Sequence, residues 1–169
     1  MDGREQQNLN ILIPISPYYF LSKEVLSGIL TIPFPYKVFI HSTEPTEDKV
    51  KTIVNTRNSL RRCNGSKYCL LLDSDVILED WAIPLLVDTM DKNTEIGMCG
   101  ISTRLKVIPF IAHPHVNLSC ALIKGYLLSH YPFRYSKDNC ECILFNKDLT
   151  TSGWKVTYAS DKILREVNE

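Results

Sequence analysis

The sequence predicts an α/β fold with a mainly parallel central sheet flanked by helices. Strand and helix patterns alternate through the first hundred residues, as expected when each strand is joined to the next through a helix on a face of the sheet. The run "YCLLL" at residues 68–72 is apolar throughout, which is typical of a strand covered on both faces. A chain of 169 residues suits one domain with a substantial core.

Residues 1–102 supply the clearest alternation. Ser22 is a predicted N-cap for the first helix, and the helix at 46–63 has acids in its first turn and basic residues in its last. Apolar runs bounded by turn residues predict the strands. The predicted strands are 10–15, 36–42, 68–78 and 95–102, and the predicted helices are 22–30, 46–63 and 79–93.

The pattern is looser after Ser102. Residues 104–117 are rich in proline and histidine and are expected to be irregular. A strand followed by a short helix is predicted within residues 118–135. A helix ending at Gly153 and a final strand are predicted within 140–160.

Composition excludes several function classes. The formal net charge is +0, so binding to nucleic acid by bulk attraction is not expected. No run of about 18 apolar residues is present, which argues against a membrane span. The first ten residues, "MDGREQQNLN", are polar and do not resemble a secretory signal, so a cytoplasmic location is expected. The six cysteines show no CxxC pair and are expected to be mainly buried thiols, with a disulfide as the alternative.

Two carboxylates follow the most apolar predicted strand. Ligands of parallel sheets bind at the carboxyl ends of strands, and residues two apart in a strand point to the same side. Asp73 and Asp75 would therefore converge on an oxygen-rich site suited to Mg²⁺ or Mn²⁺. The alternative is that the two acids cap the helix that follows.

The residues around this pair carry a resemblance to a known family. Arg57-Asn58, Gly65 and Asp73-Ser74-Asp75 occur in the order and spacing seen in nucleotide-sugar glycosyltransferases of the GT-A fold, especially the inverting group called family 2. The resemblance extends through "SCALIKGYLL" and "ECILFNKDLTTSGWKVTYAS" and covers nearly the whole chain. It implies a single Rossmann-like domain, with a nucleotide-sugar half at 1–102 and an acceptor half at 103–169.

The same resemblance implies the ligands and the binding residues. The donor would be a UDP- or GDP-sugar, and Mn²⁺ or Mg²⁺ would be bound directly by Asp75. Asp73 would contact the ribose, or the metal through water. Arg57 would assist the nucleotide or the acidic pair, and Asn58 and Ser16 are further candidates for nucleotide binding. The acceptor, whether a glycan, a protein or a lipid, is not predicted.

The catalytic base departs from the family pattern. Cys142 stands where the family has its usual aspartate, so Glu141 is the first candidate and Asp138 the second. A retaining reaction, which needs no such base, stays open. The acid that commonly binds the nucleotide base is replaced by His41-Ser42, with Glu44 nearby.

Three other possibilities remain at the level of sequence. The loop histidines His113 and His115 could reach the ion or the acceptor, or be ordinary loop residues. A haloacid-dehalogenase-type phosphohydrolase also places D-x-D after an apolar strand, with Asp73 as its nucleophile. A nucleotide-sugar-binding module without turnover would have the same fold and no transfer activity.

Overall fold

A computed structural model describes residues 9–15, 21–103 and 115–167. Its elements follow the predicted alternation. In chain order they are β1 (Leu9–Pro14), α1 (Lys23–Leu30), β2 (Tyr36–His41), α2 (Lys49–Leu60) with a 3₁₀ turn (Arg61–Cys63), β3 (Tyr68–Leu72), α3 (Ala82–Lys92), β4 (Ile96–Ser102), β5 (Cys120–Lys124), α4 (Gly125–His130), α5 (Glu141–Thr151) and β6 (Lys155–Ile163).

The strands form one sheet in the order β2-β1-β3-β5-β4-β6. β1 is parallel to β2 and β3, and β4 is parallel to β6. β5 lies between β3 and β4 and is antiparallel to both. The mainly parallel sheet is therefore confirmed, with β5 as the exception. The carboxyl end of β3 consequently lies beside the amino end of β5, where Leu72 pairs with Cys120.

The sheet is buried on both faces, as the apolar run in β3 predicts. Leu70 and Leu72 belong to one apolar cluster, together with residues from α1 and α3. Cys69 and Leu71 belong to a second cluster, together with residues from α2 and α5. Side chains alternate along a strand, so an unbroken apolar run serves two cores at once. Representative members are Val25, Ile29, Ile83 and Leu86 on the first face, and Val54, Phe145 and Leu149 on the second.

Among the element boundaries that differ from prediction, two show how side chains and loops compete with regular structure. α2 begins at Lys49 rather than at Thr46, since the Asp48 carboxylate accepts hydrogen bonds from the Val50 and Lys51 amides at 2.8 and 3.3 Å. β3 ends at Leu72 rather than continuing to residue 78. The buried Val76 instead forms an isolated bridge with the C-terminal segment, at Glu166.

The cysteines divide into two groups. Cys69, Cys99 and Cys120 are buried thiols, as predicted, and Cys63 is a half-buried one. Cys140 and Cys142 form a disulfide, the alternative that the sequence left open. Cys140 is extended at the start of α5, and the Cα atoms are 5.3 Å apart, a separation that a disulfide spans.

Within the described ranges, no helix has both the length and the apolar character needed to cross a membrane.

Candidate active site

Arg57 joins two carboxylates that are distant in the chain. It lies on α2 and is only 3% exposed. One terminal nitrogen of its guanidinium, Nη2, donates to Asp73 Oδ1 at 2.8 Å, and Nη1 donates to Glu141 Oε1. Helix α2, the end of β3 and the start of α5 therefore meet at one cluster. Three residues that the sequence singled out for different reasons lie in contact.

The opposite charges of Arg57 and its two carboxylate partners stabilise this cluster. A buried guanidinium without an anionic partner would lose its hydration at high cost, and two carboxylates close together would repel each other. The side chains of Asp73 and Glu141 are 27% and 12% exposed, so the cluster faces a partly open surface. Arg57 Nε is buried without a hydrogen-bond partner among the described atoms. The guanidinium is thus held by its two terminal nitrogens.

The two aspartates lie in a turn rather than in a strand. The Val76 amide donates to the Asp73 carbonyl at 3.2 Å and closes that turn. The Asp73 amide donates to the Ser119 carbonyl at 2.9 Å, and the Asp75 carbonyl accepts from the Val167 amide at 2.8 Å. The rule that strand residues two apart share a side therefore does not apply here. The turn is instead held by backbone hydrogen bonds to Ser119 on one side and to Val167 on the other.

The two candidates for the base occupy different environments. Glu141 is the first residue of α5 and contacts Arg57 inside the cluster. Asp138 is exposed on the loop before α5, where its amide donates to Ser136 Oγ at 3.2 Å. Of these two candidates, only Glu141 is connected through Arg57 to the turn that contains Asp73 and Asp75, which we call the acidic turn. The catalytic role of either residue remains a prediction.

Asn58 has a different set of partners from its neighbour Arg57. Its Nδ2 donates to the Phe133 carbonyl at 2.8 Å, and its Oδ1 accepts from the Phe133 amide at 3.0 Å. Phe133 in turn stacks on Phe145 of α5, with ring centroids 4.6 Å apart. Asn58 therefore fastens the loop between α4 and α5 to α2. Its predicted part in nucleotide binding stays a prediction.

The structure describes some of the other candidate residues and not others. Ser16 and His113 lie outside the described residues. His41, Ser42 and Glu44 are exposed at the carboxyl end of β2. At Gly65 an added Cβ would meet no atom within 4 Å, so the structure gives no steric reason for a glycine in this part of the motif.

Two residues near the cluster have surroundings that the sequence did not reveal. Cys120 is buried in β5 opposite the last residue of β3. Burial, with a further contribution from the charge of Asp73, raises the pKa of its thiol to about 12, so it stays neutral. Asn146 is a buried amide on α5 that bonds the backbone at Val116 and Cys142. A single polar residue in a helix carries no pattern that would reveal this role.

The acidic turn has the donor chemistry of a hard divalent cation site. Asp73 and Asp75 offer carboxylate oxygens, which Mg²⁺ and Mn²⁺ prefer, and both residues are only partly buried. Arg57 offsets part of the negative charge of this cluster through its contacts with Asp73 and Glu141. The residues therefore fit such an ion.

No model of a protein family matches this sequence, and no curated protein matches it. Solved structures do. The mannosyltransferase PcManGT from Pyrobaculum calidifontis, in complex with GDP-Man and Mn²⁺, superposes on 97% of the chain with a TM-score of 0.73. The chain has a GT-A fold. The fold class predicted from the sequence is confirmed by this match.

Two further GT-A structures agree. TarS 1–349 from S. aureus in complex with UDP aligns with 94% of the chain at a TM-score of 0.65 and 14% identity. Glucosyl-3-phosphoglycerate synthase from Mycobacterium tuberculosis, in complex with Mn²⁺, UDP-Glc and glycerol 3-phosphate, aligns with 96% of the chain. The TM-score of this match is 0.61 and the sequence identity is 13%. PcManGT is 12% identical. The chain spans 58% of the length of PcManGT, 60% of TarS 1–349 and 73% of the synthase.

Proposed function

We propose that the protein is a metal-dependent glycosyltransferase that moves a sugar from a nucleotide-diphosphate sugar to an acceptor hydroxyl. One observation carries the proposal: Arg57, Asp73 and Glu141 meet at the carboxyl edge of the sheet in a GT-A fold. Ligands of such sheets bind at this edge. The three structures compared above contain GDP-Man, UDP or UDP-Glc, which supports a UDP- or GDP-sugar as the donor.

The acidic turn would hold the cation and the diphosphate. Asp75 is the proposed direct ligand, with Asp73 contacting the ribose, or the cation through water. Mn²⁺ or Mg²⁺, when bound, would stabilise the negative charge that develops on the leaving diphosphate. Two unit charges about 4 Å apart at an effective dielectric constant near 20 attract by about 4 kcal/mol. A contact of that size made only in the transition state would account for roughly a thousandfold in rate.

Arg57 is proposed to position both carboxylates. A guanidinium presents its donors in a rigid planar fork, so it fixes the two side chains relative to each other. Its contact with Asp73 orients the acidic turn, and its contact with Glu141 holds that carboxylate near the same edge. Arg57 would therefore connect the donor half of the site to the acceptor half.

Glu141 is the proposed general base. The acceptor oxygen would form its bond to the anomeric carbon while the bond from that carbon to the diphosphate breaks. The proton of the acceptor hydroxyl would pass to the Glu141 carboxylate, and the diphosphate would leave with the electron pair. Such a displacement inverts the anomeric configuration. Cys142, which stands at the usual position of the family's aspartate, is bonded to Cys140 and offers no free thiol in this form.

Donor binding can be tested by thermal unfolding with UDP- and GDP-sugars, each with and without Mn²⁺. A ligand that binds only the folded state raises the melting temperature, so one donor class should give a Mn²⁺-dependent increase. Asp75→Asn should abolish the increase and still fold. Asp80→Asn, the same change at an exposed position five residues later, should retain it. An unchanged increase in Asp75→Asn would contradict the proposed metal site.

One alternative keeps specific support. A binding module without turnover would also have this fold, and the replacement of the family's aspartate by a disulfide-bonded cysteine favours it. It would give the same thermal shift without sugar transfer or slow donor hydrolysis. The haloacid-dehalogenase alternative loses its structural basis, since the fold is that of GT-A enzymes.

A further inference from the structure

A second group of metal-binding side chains lies at the start of α5. His115, Cys140 and Cys142 place one ligand atom each within 4.8 Å of one another. Cys140 Sγ and His115 Nε2 are 3.9 Å apart. All three residues are half-buried, so they are partly shielded yet reachable from solvent. We propose that this cluster, when its two cysteines are reduced, is a binding site for Zn²⁺.

The distances suit a tetrahedral ion after small side-chain rotations. Zinc binds thiolate sulfur at about 2.3 Å and imidazole nitrogen at about 2.0 Å, so neighbouring ligand atoms in a tetrahedral site are about 3.5 to 3.8 Å apart. The 3.9 Å between Cys140 Sγ and His115 Nε2 is close to that value. Once the disulfide is reduced, the two sulfurs need only separate to this distance. Three protein ligands leave the fourth position for water or another donor.

The backbone that carries these ligands is already held together. Asn146 is 6% exposed and uses its whole amide for this purpose. Its Oδ1 accepts from the Val116 amide at 2.8 Å, and its Nδ2 donates to the carbonyls of Val116 at 2.9 Å and Cys142 at 2.7 Å. The residue after His115 is therefore tied to the turn that carries Cys142. The backbone that carries the ligands is therefore in place before an ion binds.

A tyrosine supports the histidine from the other side. Tyr158 Oη donates to the His115 carbonyl at 3.0 Å and accepts from the Asn117 amide at 3.2 Å. These two contacts fix the backbone on both sides of Val116. His115 is thus anchored through its own carbonyl and through its neighbour Val116.

The donor set distinguishes this cluster from the acidic turn. Two thiolates and one imidazole suit Zn²⁺, whereas the carboxylates of Asp73 and Asp75 suit Mg²⁺ or Mn²⁺. Opening the Cys140–Cys142 disulfide takes two electrons and two protons, which a dithiol reductant supplies while it becomes a disulfide itself. Zn²⁺ then replaces the two thiol protons and releases them. The oxidised pair offers no thiolate, so only the reduced protein should bind.

The position of the cluster connects it to the candidate active site. Glu141 lies between the two cysteines in the chain and contacts Arg57. A bound ion would hold the backbone on both sides of Glu141. The Zn²⁺ site itself does not depend on the proposed function, because its ligands are not shared with the acidic turn.

The test uses the intact protein, fully reduced by a phosphine, stripped of metal and titrated with Co²⁺ as a spectroscopic substitute for Zn²⁺. We expect a sulfur-to-metal charge-transfer band that saturates at one equivalent per chain and disappears on addition of Zn²⁺. The oxidised protein should show no band. No band in the reduced protein, or equal bands in both forms, would overturn the proposal.

Variants locate the site. Cys140→Ser and Cys142→Ser should each remove the band or weaken Co²⁺ binding strongly, while Cys63→Ser, a change at a half-buried thiol outside the cluster, should leave it intact. His115→Ala should weaken binding by at least about tenfold, the range seen when a metal site is perturbed. Asp75→Asn should keep the band, which separates this site from the proposed nucleotide site. A full band in the Cys140→Ser/Cys142→Ser double variant would refute the assignment.

Discussion

Two polar clusters at the start of α5 differ in how they are held. The first is ionic: Arg57 binds Asp73 and Glu141. The second is neutral: the Asn146 amide binds the backbone of Val116 and Cys142. Charges removed from water require charged partners, whereas buried backbone groups need only hydrogen bonds. The ionic cluster should therefore be the more costly of the two to break.

The largest effect is expected for Arg57→Met. The variant would leave two neighbouring carboxylates without their shared cation, and removal of one partner from a buried ion pair costs about 3–5 kcal/mol. The free energy of unfolding, measured with urea, should fall by that amount. Arg165→Met is the matched control, since Arg165 is 73% exposed and its pair with Glu79 should contribute at most about 1 kcal/mol. Equal losses in the two variants would contradict an ionic cluster that contributes to stability.

Breaking the neutral cluster should lower the free energy of unfolding by less than breaking the ionic cluster does. Asn146→Ala would leave the Val116 amide and the carbonyls of Val116 and Cys142 without this partner. Each buried group left without a bond costs about 1–3 kcal/mol, reduced where water can enter. The Cys142 carbonyl also accepts within the backbone ladder of α5, so the two Val116 groups account for most of the loss. At the lower end of that range they give about 2–3 kcal/mol in urea unfolding, smaller than the loss for Arg57→Met. Asn139→Ala, at an exposed position, should change stability by less than about 0.5 kcal/mol. A loss larger than that of Arg57→Met would reverse the comparison.

The free energy of unfolding should depend on pH because of Cys120, the neutral thiol beside the ionic cluster. Burial raises the pKa of Cys120 to about 12 from the model-compound value of 9.0. The unfolded chain therefore loses this proton first as pH rises. The stabilising contribution is complete below pH 9 and declines between pH 9 and 12, by about 1.4 kcal/mol per pH unit.

Urea unfolding at pH 8 and pH 10 measures this decline. The Cys120→Ala variant should lose less stability between the two values than the wild type does. Cys63→Ala is the control, since Cys63 is only half-buried, and it should follow the wild type. Identical declines in all three proteins would show that Cys120 does not titrate as described.

The smallest effect is expected in the loop that leads to β3. Gly65 has open space for a Cβ, so Gly65→Ala should change stability by less than about 1 kcal/mol and can increase it through the unfolded state. Gly125→Ala is the contrasting variant, because its Cβ would lie 2.1 Å from the Ser66 carbonyl oxygen. Circular dichroism melts of both variants measure the difference. A larger loss for Gly65→Ala would show that this glycine has a conformational role.

The sheet was predictable because its signal is repeated along the chain. The unbroken apolar run of β3 predicted a strand buried on both faces, and Tyr68–Leu72 is buried throughout. The direction of β5 was not predictable, since the same short apolar pattern occurs in parallel and antiparallel strands. Pairing of residues 75–77 with the C-terminal segment also ended β3 early. Local periodicity contains no information about such distant partners.

The sequence indicated which residues belong to the candidate site better than it indicated which of them are in contact. The spacing of Arg57 and Asp73 suggested that they belong to one motif, and they are in contact. That Glu141 shares the same guanidinium, 84 residues along the chain from Arg57, required the fold. A disulfide was left open without its partners, and the role of Asn146 was missed, because neither a C-x-C sequence nor a single asparagine carries a pattern that reveals such contacts.

The most direct test is a crystal structure with Mn²⁺ and the donor sugar that stabilises the protein, collected at a wavelength where manganese scatters anomalously. The account predicts one anomalous peak within bonding distance of the Asp75 carboxylate and of the donor diphosphate, with Arg57 still bound to Asp73. A nucleotide bound elsewhere, or a peak with no contact to the turn of Asp73 and Asp75, would contradict it.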